Sequence, residues 1–228
     1  MRTKPGRKSV PPRSITGYYP YSSDFEGGIT LREAAVWIAL AYLLGSIPTG
    51  FLLVRYYKGI DIRSLGSGNI GANNVRRALG KEWGIFVAIV DMLKGVIALL
   101  GAMASGITNP WILSSIALAG VLGHNYPVWL NFKGGKGVST SYGVIFLLWP
   151  LKSFAVALMG GVVWYAVMRT TRYVSLASVL SLFSVTFFFL ILGAPVAFTL
   201  FSFLLALLAT WCHHDNIKRI ANGTESRV

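Results

Sequence analysis

Two short segments of this sequence combine glycines with amide or cationic side chains, and each interrupts an apolar stretch. The first glycine loop, residues 66–77, reads Gly-Ser-Gly-Asn-Ile-Gly-Ala-Asn-Asn-Val-Arg-Arg, and the second glycine loop, residues 133–137, reads Lys-Gly-Gly-Lys-Gly. Glycine lets backbone N–H groups approach a ligand closely, and arginine offers two parallel donors to an oxyanion. Both loops therefore predict phosphate or carboxylate binding. The candidate binding residues are Gly66, Ser67, Gly68, Asn69, Gly71, Asn73, Asn74, Arg77, Gly134, Gly135, Lys136 and Gly137.

The composition indicates what kind of protein carries these loops. Of the 228 residues, 54% are hydrophobic and only 13% are charged, and the apolar residues form long runs. This pattern is typical of an integral membrane protein. The net charge of +13 is interpreted as membrane topology rather than nucleic-acid binding. The single cysteine, Cys212, excludes an intrachain disulfide.

The apolar runs predict an all-α bundle of about seven transmembrane helices, some short or broken. The fourth run would reach only roughly 18 Å at 1.5 Å per residue, so a short, tilted or re-entrant helix is expected there. The Gly45–Gly50 segment should break the first run, and such breaks survive where protein or a water-filled cavity satisfies the backbone. The seven runs are Ala34–Tyr57, Trp83–Ser105, Trp111–Leu130, Val138–Trp149, Ser153–Met168, Leu176–Leu192 and Val196–Cys212.

Seven crossings would put both glycine loops, the 169–173 connection and the tail after Cys212 on one face of the membrane. Most lysines and arginines after residue 57 fall on that face, which the positive-inside rule makes cytoplasmic. The basic 2–13 segment opposes this orientation, but it is far from any span. Residues 1–30 are polar and are predicted to be a disordered extension, with the membrane domain at 31–228.

Polar residues within the runs are few. Asp91 and Lys94 are three positions apart on one helical face, and a lone charge at the bilayer centre would cost about 2.5–3.5 kcal/mol. The two residues are predicted to form a structural ion pair, although a direct role with substrate stays open. His124 could either brace the following loop or meet a ligand.

Several motifs occur together in order and resemble the PlsY family of acyl-phosphate:glycerol-3-phosphate acyltransferases. The resemblance covers residues from about Leu31 to the C-terminus. It implies a multi-pass enzyme of the bacterial inner membrane that acylates the 1-hydroxyl of glycerol 3-phosphate from acyl phosphate, releasing lysophosphatidic acid and inorganic phosphate. The motifs are residues 45–50, 66–77, 124–127 with 133–137, 171–176, and 213–216 with Glu225.

The resemblance also implies roles for individual residues, with no cofactor and no metal. The catalytic residues would be Ser67, Arg77, Lys136, His213 and Asn216; Ser175 would bind substrate and Glu225 would be structural. Two positions depart from the family pattern, since Asn73 replaces a threonine and Cys212 replaces an arginine. An enzyme that produces acyl phosphate would be a functional partner.

The chemistry itself leaves two questions open. Because both substrates carry phosphate, cations and oriented N–H groups must offset two nearby anions, and phosphate is a good enough leaving group that no covalent enzyme nucleophile is needed. The attacking hydroxyl could lose its proton to His213 or, as we favour, to the donor's own phosphate. A small-anion transporter is the alternative function, because it would also use glycine-broken helices and membrane cations.

Overall fold

The computed structural model describes residues 30–227, and every regular element in this range is helical. Seven apolar helical segments are joined by short connections, which confirms the predicted all-α bundle. The helices are α1 (Leu31–Gly45), α2 (Thr49–Lys58), α3 (Ala72–Leu79), α4 (Lys81–Ala104), α5 (Pro110–Asn125), α6 (Val138–Leu148), α7 (Lys152–Thr171), α8 (Val174–Ile191), α9 (Val196–Cys212) and α10 (His214–Ala221), with 3-10 turns at Ile62–Ser64 and Val128–Leu130.

The predicted N-terminal extension lies outside the described residues except for Thr30. Its hydroxyl accepts a hydrogen bond from the Glu33 N–H, and its own N–H donates to the Glu33 carboxylate. This reciprocal pair is a capping box, which satisfies two backbone donors at the start of α1. Thr30 is therefore the N-cap of α1.

The first apolar run is broken where its sequence predicts. Helix α1 ends at Gly45 and α2 begins at Thr49, because Pro48 has no N–H to continue the ladder. The Lys94 ammonium of α4 donates to the Ile47 carbonyl at 3.1 Å and so satisfies a backbone group that the break exposes. A neighbouring protein side chain thus stabilises the break.

Length and composition identify four helical stretches able to cross a membrane, 31–58, 81–104, 152–171 and 174–191, and a fifth if the bent pair α9–α10 is one span. Helix α6 has 11 residues, or about 16 Å of length, and α7 then returns the chain to the end where α6 began. The third run is shorter than expected from the sequence. It was predicted to continue to Leu130, but Pro127 ends the helical path and α5 stops at Asn125.

The outer surface of the bundle is apolar, and its interior is a mainly apolar core that also buries polar side chains. Large hydrophobic side chains such as Ile89, Val162 and Leu190 are more than half exposed, as expected of surfaces that face lipid. Buried serines, threonines and the Asp91–Lys94 pair lie between the helices. Close packing depends on small residues at the crossings, since a Cβ on Gly45 would overlap the Gly120 backbone of α5.

A second, smaller apolar cluster lies directly below the first glycine loop. Val54 of α2, Ile62, Val75 of α3 and Val87 of α4 are fully buried there. The loop and α3 are therefore fastened to the bundle by apolar contacts on the side away from their polar residues. The polar residues are left free to face a cavity.

Candidate active site

A cavity of about 440 Å³ opens at the end of the bundle where the glycine loops lie. It is bounded by the first glycine loop, the start of α6, the start of α8 and the segment after α9. The cavity extends inward along α4 and α7. Of the residues predicted from the sequence, it is lined by Ser67, Asn69, Gly71, Asn73, Asn74, Arg77, Asp91, Lys136, Gly137, Ser175, His213, Asn216 and Glu225.

Asn74 organises the first glycine loop from within. Its amide nitrogen donates to the carbonyls of Ile62, Leu65 and Asn69 at 2.9–3.1 Å, and its side-chain oxygen accepts from the Ser67 N–H at 3.2 Å. The side chain is 2% exposed. Asn74 was predicted to bind phosphate, but its hydrogen-bonding groups are used within the loop. It therefore shapes the site.

The loop's own amides are likewise engaged. The Gly68 N–H donates to the Leu65 carbonyl and the Gly71 N–H donates to the Asn69 side chain, while Gly66 and Gly68 adopt the positive φ that favours glycine. The sequence predicted that these amides converge on an oxyanion. Ala72 and Asn73 also line the cavity, and their N–H groups in the first turn of α3 have no intrahelical acceptor.

Four side chains of the first loop remain available to a ligand. Ser67, Asn73, Arg76 and Arg77 are exposed at the cavity wall, and none of these side chains makes a hydrogen bond or ion pair within the described part of the chain. Arg77 lies near the C-terminal end of α3. The exposed Arg77 guanidinium and the N–H groups of the first turn of α3 together give the cavity wall a positive potential.

The second glycine loop is built differently. The N–H groups of Gly134 and Gly135 donate to the carbonyls of Asn125 and His124 at 3.1 and 3.0 Å, so they fasten the loop to the end of α5. Neither glycine lines the cavity. Both amides are therefore engaged within the protein in this structure, and the small size of the two glycines allows close packing against His124 and Pro127.

Lys136 is the side chain that this loop presents. Its ammonium lies at the cavity and donates to the side-chain oxygen of Asn216. Burial, together with nearby Arg219, lowers the pKa of Lys136 to about 8, so the side chain is still mainly cationic at pH 7. The first turn of α6 begins two residues later, and its free N–H groups add to the positive potential.

Glu225 connects the C-terminal segment to the bundle. It accepts hydrogen bonds from Ser175 at 3.2 Å, Asn216 at 2.5 Å and Arg219 at 2.7 Å. Partial burial opposes ionisation, but the bonds from Asn216 and Arg219 outweigh it and hold the pKa of Glu225 below its usual value. The predicted structural role fits this geometry. Arg219 was not predicted, although it lies three residues after Asn216 on the same face of α10.

His213 is buried between α9 and α10. Its Nδ1 lies 2.7 Å from the Ala209 carbonyl, which only accepts, so Nδ1 carries the hydrogen and Nε2 keeps its lone pair. Burial and the nearby Lys136 lower the pKa of His213 to about 4. The imidazole is therefore neutral at pH 7 and is a weak base.

Asp91 and Lys94 form the predicted ion pair, with 3.0 Å between Oδ1 and Nζ. His124 joins them, since its Nδ1 lies 3.7 Å from the same carboxylate oxygen. All three side chains are at most 6% exposed. Asp91 and His124 also line the inner end of the cavity, which the sequence left undecided.

The inner cavity wall includes apolar residues that were not predicted: Ala88, Met92, Tyr142, Gly161 and Trp164. The Trp164 N–H donates to Ser178 at 3.2 Å, which fixes the indole against α8. No pattern in the sequence separates these residues from the other apolar residues of the spans. The cavity thus joins a cationic, hydrogen-bonding end to an apolar side.

The fold and the site together define a multi-pass helical membrane protein with an anion-binding cavity at one end. The sequence matches the model of the glycerol-3-phosphate acyltransferase family over residues 35–223. The chain belongs to this family, which confirms the resemblance found in its motifs.

Individual relatives match this chain over nearly their whole length. The chain is 49% identical over 196 residues to a glycerol-3-phosphate acyltransferase of Thermus thermophilus, covering 86% of this chain and 96% of the relative. It is 43% identical over 195 residues to that of Aquifex aeolicus, covering 86% and 99%. The crystal structure of PlsY, an integral membrane glycerol 3-phosphate acyltransferase, in its glycerol 3-phosphate form superposes with a TM-score of 0.80 at 43% identity, covering 86% of this chain and 95% of that one.

Proposed function

We propose that this protein transfers a fatty acyl group from acyl phosphate to the 1-hydroxyl of glycerol 3-phosphate, giving 1-acyl-glycerol 3-phosphate and inorganic phosphate. This is an early step of phospholipid synthesis. The observation that carries the proposal is the cavity itself, in which cationic residues from both glycine loops meet an apolar wall inside a membrane bundle. Its two ends match a phosphorylated polar acceptor and a lipid-like donor.

The cationic end would hold the phosphates of both substrates. Arg77 can bind two oxygens at once, whereas Lys136 acts as a point charge supported by Asn216. Ser67 and the first-turn N–H groups of α3 are neutral donors beside them. Such fixed donors stabilise negative charge without having to reorganise during the reaction.

The reaction needs one proton acceptor. The hydroxyl oxygen attacks the acyl carbon, the bond from that carbon to the phosphate oxygen breaks, and the hydroxyl proton must leave. Because burial lowers the pKa of His213 to about 4, the imidazole is a poor base, and we assign the proton to the departing phosphate. His213 Nε2 then accepts a hydrogen bond that orients the glycerol, and Asn216 holds Lys136 in place.

We further propose that the active-site end faces the cytoplasm of a bacterial cell, in the inner membrane. Basic residues of the connections gather at this end, consistent with the positive-inside rule. The donor would come from a separate enzyme that produces acyl phosphate. The acyltransferase domain comprises the chain from Thr30 onward.

Detergent-purified protein supplied with glycerol 3-phosphate tests this proposal. Three donors are compared: acyl phosphate, acyl-CoA and acyl carrier protein thioester. Of the three donors, only acyl phosphate should give products, and we expect inorganic phosphate and lysophosphatidic acid in equal amounts. Turnover with a thioester and none with acyl phosphate would refute the donor assignment, and the absence of any lysophosphatidic acid in an intact, monodisperse preparation would favour a carrier function.

A further inference from the structure

We propose that Asp91 is a positioning residue for acyl transfer, which acts through His124 on the second glycine loop and thereby sets the place of Lys136. This inference rests on the proposed function, since its readout is transfer to glycerol 3-phosphate. It assigns a role to a buried charged group that the binding of phosphate does not itself require.

Asp91 is held by an ion pair with Lys94 that also reaches a second part of the bundle. The Lys94 ammonium lies 3.0 Å from its Oδ1 and also donates to the Ile47 carbonyl at 3.1 Å. Lys94 thus ties the carboxylate on α4 to the break between α1 and α2. With side chains that are 4% and 6% exposed, the pair has little freedom to rotate.

The carboxylate is aimed at His124 on α5. Asp91 Oδ1 lies 3.7 Å from His124 Nδ1, and that nitrogen is buried without a hydrogen-bond partner in the part of the chain that the structure describes. Asp91 is therefore the charged group that orients the imidazole. At 3.7 Å the contact is electrostatic rather than a hydrogen bond.

His124 in turn supports the loop. A Cβ on Gly135 would overlap the imidazole Nε2, so the ring lies directly against that glycine. The Gly135 N–H also donates to the His124 carbonyl at 3.0 Å. Lys136 is the next residue, so a movement of the imidazole is transmitted to the backbone that carries the catalytic ammonium.

Charge and energy both argue for positioning over direct binding. Asp91 would repel a phosphate dianion, and Lys94 already neutralises it. A buried ion pair is also a poor source of stability, because well-packed apolar residues of similar volume often serve as well or better. The cost of burying the pair is explained if its carboxylate fixes the orientation of His124.

The test is a double-mutant cycle between the ion pair and Lys136. Asp91→Leu with Lys94→Gln removes both charges together, keeps the volume and retains a donor for Ile47. We expect this pair of substitutions to lower kcat/KM for glycerol 3-phosphate about tenfold, mainly through KM, because a small misplacement of a binding group is costly. When Lys136 is already replaced by alanine, the same two substitutions should lower kcat/KM by less than about twofold, because their effect acts through Lys136.

The matched control is Ser114→Ala, a buried polar change on the same helix as His124 but away from the cavity. The Ser114 hydroxyl donates to the Ala197 carbonyl at 3.3 Å, so this variant lowers stability without altering KM. If the ion-pair variant does not fold, His124→Phe replaces it. This variant keeps a ring against Gly135 but removes the nitrogen that faces Asp91, and it should show the same loss and the same dependence on Lys136.

Equal losses with and without Lys136, or unchanged kinetics in folded variants, would overturn the proposal. Failure of the proposed function itself has a separate signature, since the wild-type protein would then make no lysophosphatidic acid. A wild-type enzyme that works, with additive losses in the cycle, refutes only the role of Asp91.

Discussion

The two glycine loops look alike in sequence but are built on different physical plans. In the first, Gly66 and Gly68 take positive φ and the backbone folds around the buried amide of Asn74. In the second, Gly134 and Gly135 are packed flat against the end of α5, and their N–H groups bond to its carbonyls. The first loop is held from its own interior, whereas the second is held by a neighbouring helix.

In both loops the glycines serve the structure of the loop itself. The N–H groups of four loop glycines, Gly68, Gly71, Gly134 and Gly135, are used to hold the loops and are therefore not free to bind a ligand. The two loops instead deliver cations to a shared cavity, Arg76 and Arg77 at its exposed wall and Lys136 at a partly buried position. Removing each cation, and then each support, measures how far this division of roles holds.

The largest effect should follow Lys136→Ala. Because Lys136 is the partly buried cation, its loss leaves a phosphate uncompensated in a partly desolvated cavity, and activity should fall at least about a hundredfold. Phosphate release with glycerol 3-phosphate varied is the measurement. Lys133→Ala is the control, since Lys133 belongs to the same loop but is exposed and does not line the cavity. Similar activities for the two variants would remove Lys136 from the site.

A smaller loss is expected for Arg77→Lys. This variant keeps the charge but loses the planar pair of donors, and charge-assisted hydrogen bonds contribute about 1.5–3 kcal/mol each. Activity should drop roughly ten- to a hundredfold, at about 1.4 kcal/mol per decade. The same substitution at Arg55, which is exposed on α2 and bonds only to the Gly59 carbonyl, should leave kcat/KM unchanged. An Arg77→Lys variant with unchanged kcat/KM would exclude a bidentate contact between Arg77 and a phosphate.

Asn74→Ala tests the internal support of the first loop. It deprives three carbonyls and one N–H of their partner, so the loop should shift and kcat/KM should fall about tenfold. Asn109→Ala is a useful comparison, because it removes the N-cap of α5 far from the cavity. We expect that variant to lower the unfolding temperature without changing KM. A loss of stability alone in Asn74→Ala would mean that the loop's shape is not needed.

The smallest effect is expected from deleting residues 1–29. The family match begins at residue 35 and both glycine loops lie far downstream, so turnover should stay within about twofold of the full chain. Deleting Thr30 as well removes the capping box of α1 and should cost about 1 kcal/mol of stability. A fully inserted 30–228 protein without activity would contradict this assignment of the acyltransferase domain.

The sequence was informative where one residue type has one physical use. Long apolar runs predicted the helices, the Gly45–Gly50 segment predicted the break in the first span, and the spacing of Asp91 and Lys94 predicted their pairing. The hydrogen-bond partners of residues in the two glycine loops were harder to predict. The roles of Gly134 and Gly135 depend on two carbonyls at the end of α5, and Asn74 depends on three carbonyls of its own loop, which no spacing rule specifies.

The apolar wall was missed for a related reason. Met92, Gly161 and Trp164 lie in spans where almost every residue is apolar, so facing a cavity and facing lipid leave the same composition. His124 was recognised as a residue of interest, but its position between Asp91 and Gly135 required the packing of three separate elements. Tertiary contacts, rather than the local sequence pattern, therefore determine the apolar cavity wall and the surroundings of His124.

A structure of this protein with glycerol 3-phosphate bound would test the proposed site most directly. We expect the ligand in the cavity between the two loops, with its phosphate within hydrogen-bonding distance of Arg77 or Lys136 and its glycerol toward His213. The N–H groups of Gly134 and Gly135 should still bond to α5. A phosphate held by those two amides, or a ligand bound outside the cavity, would refute the proposed site.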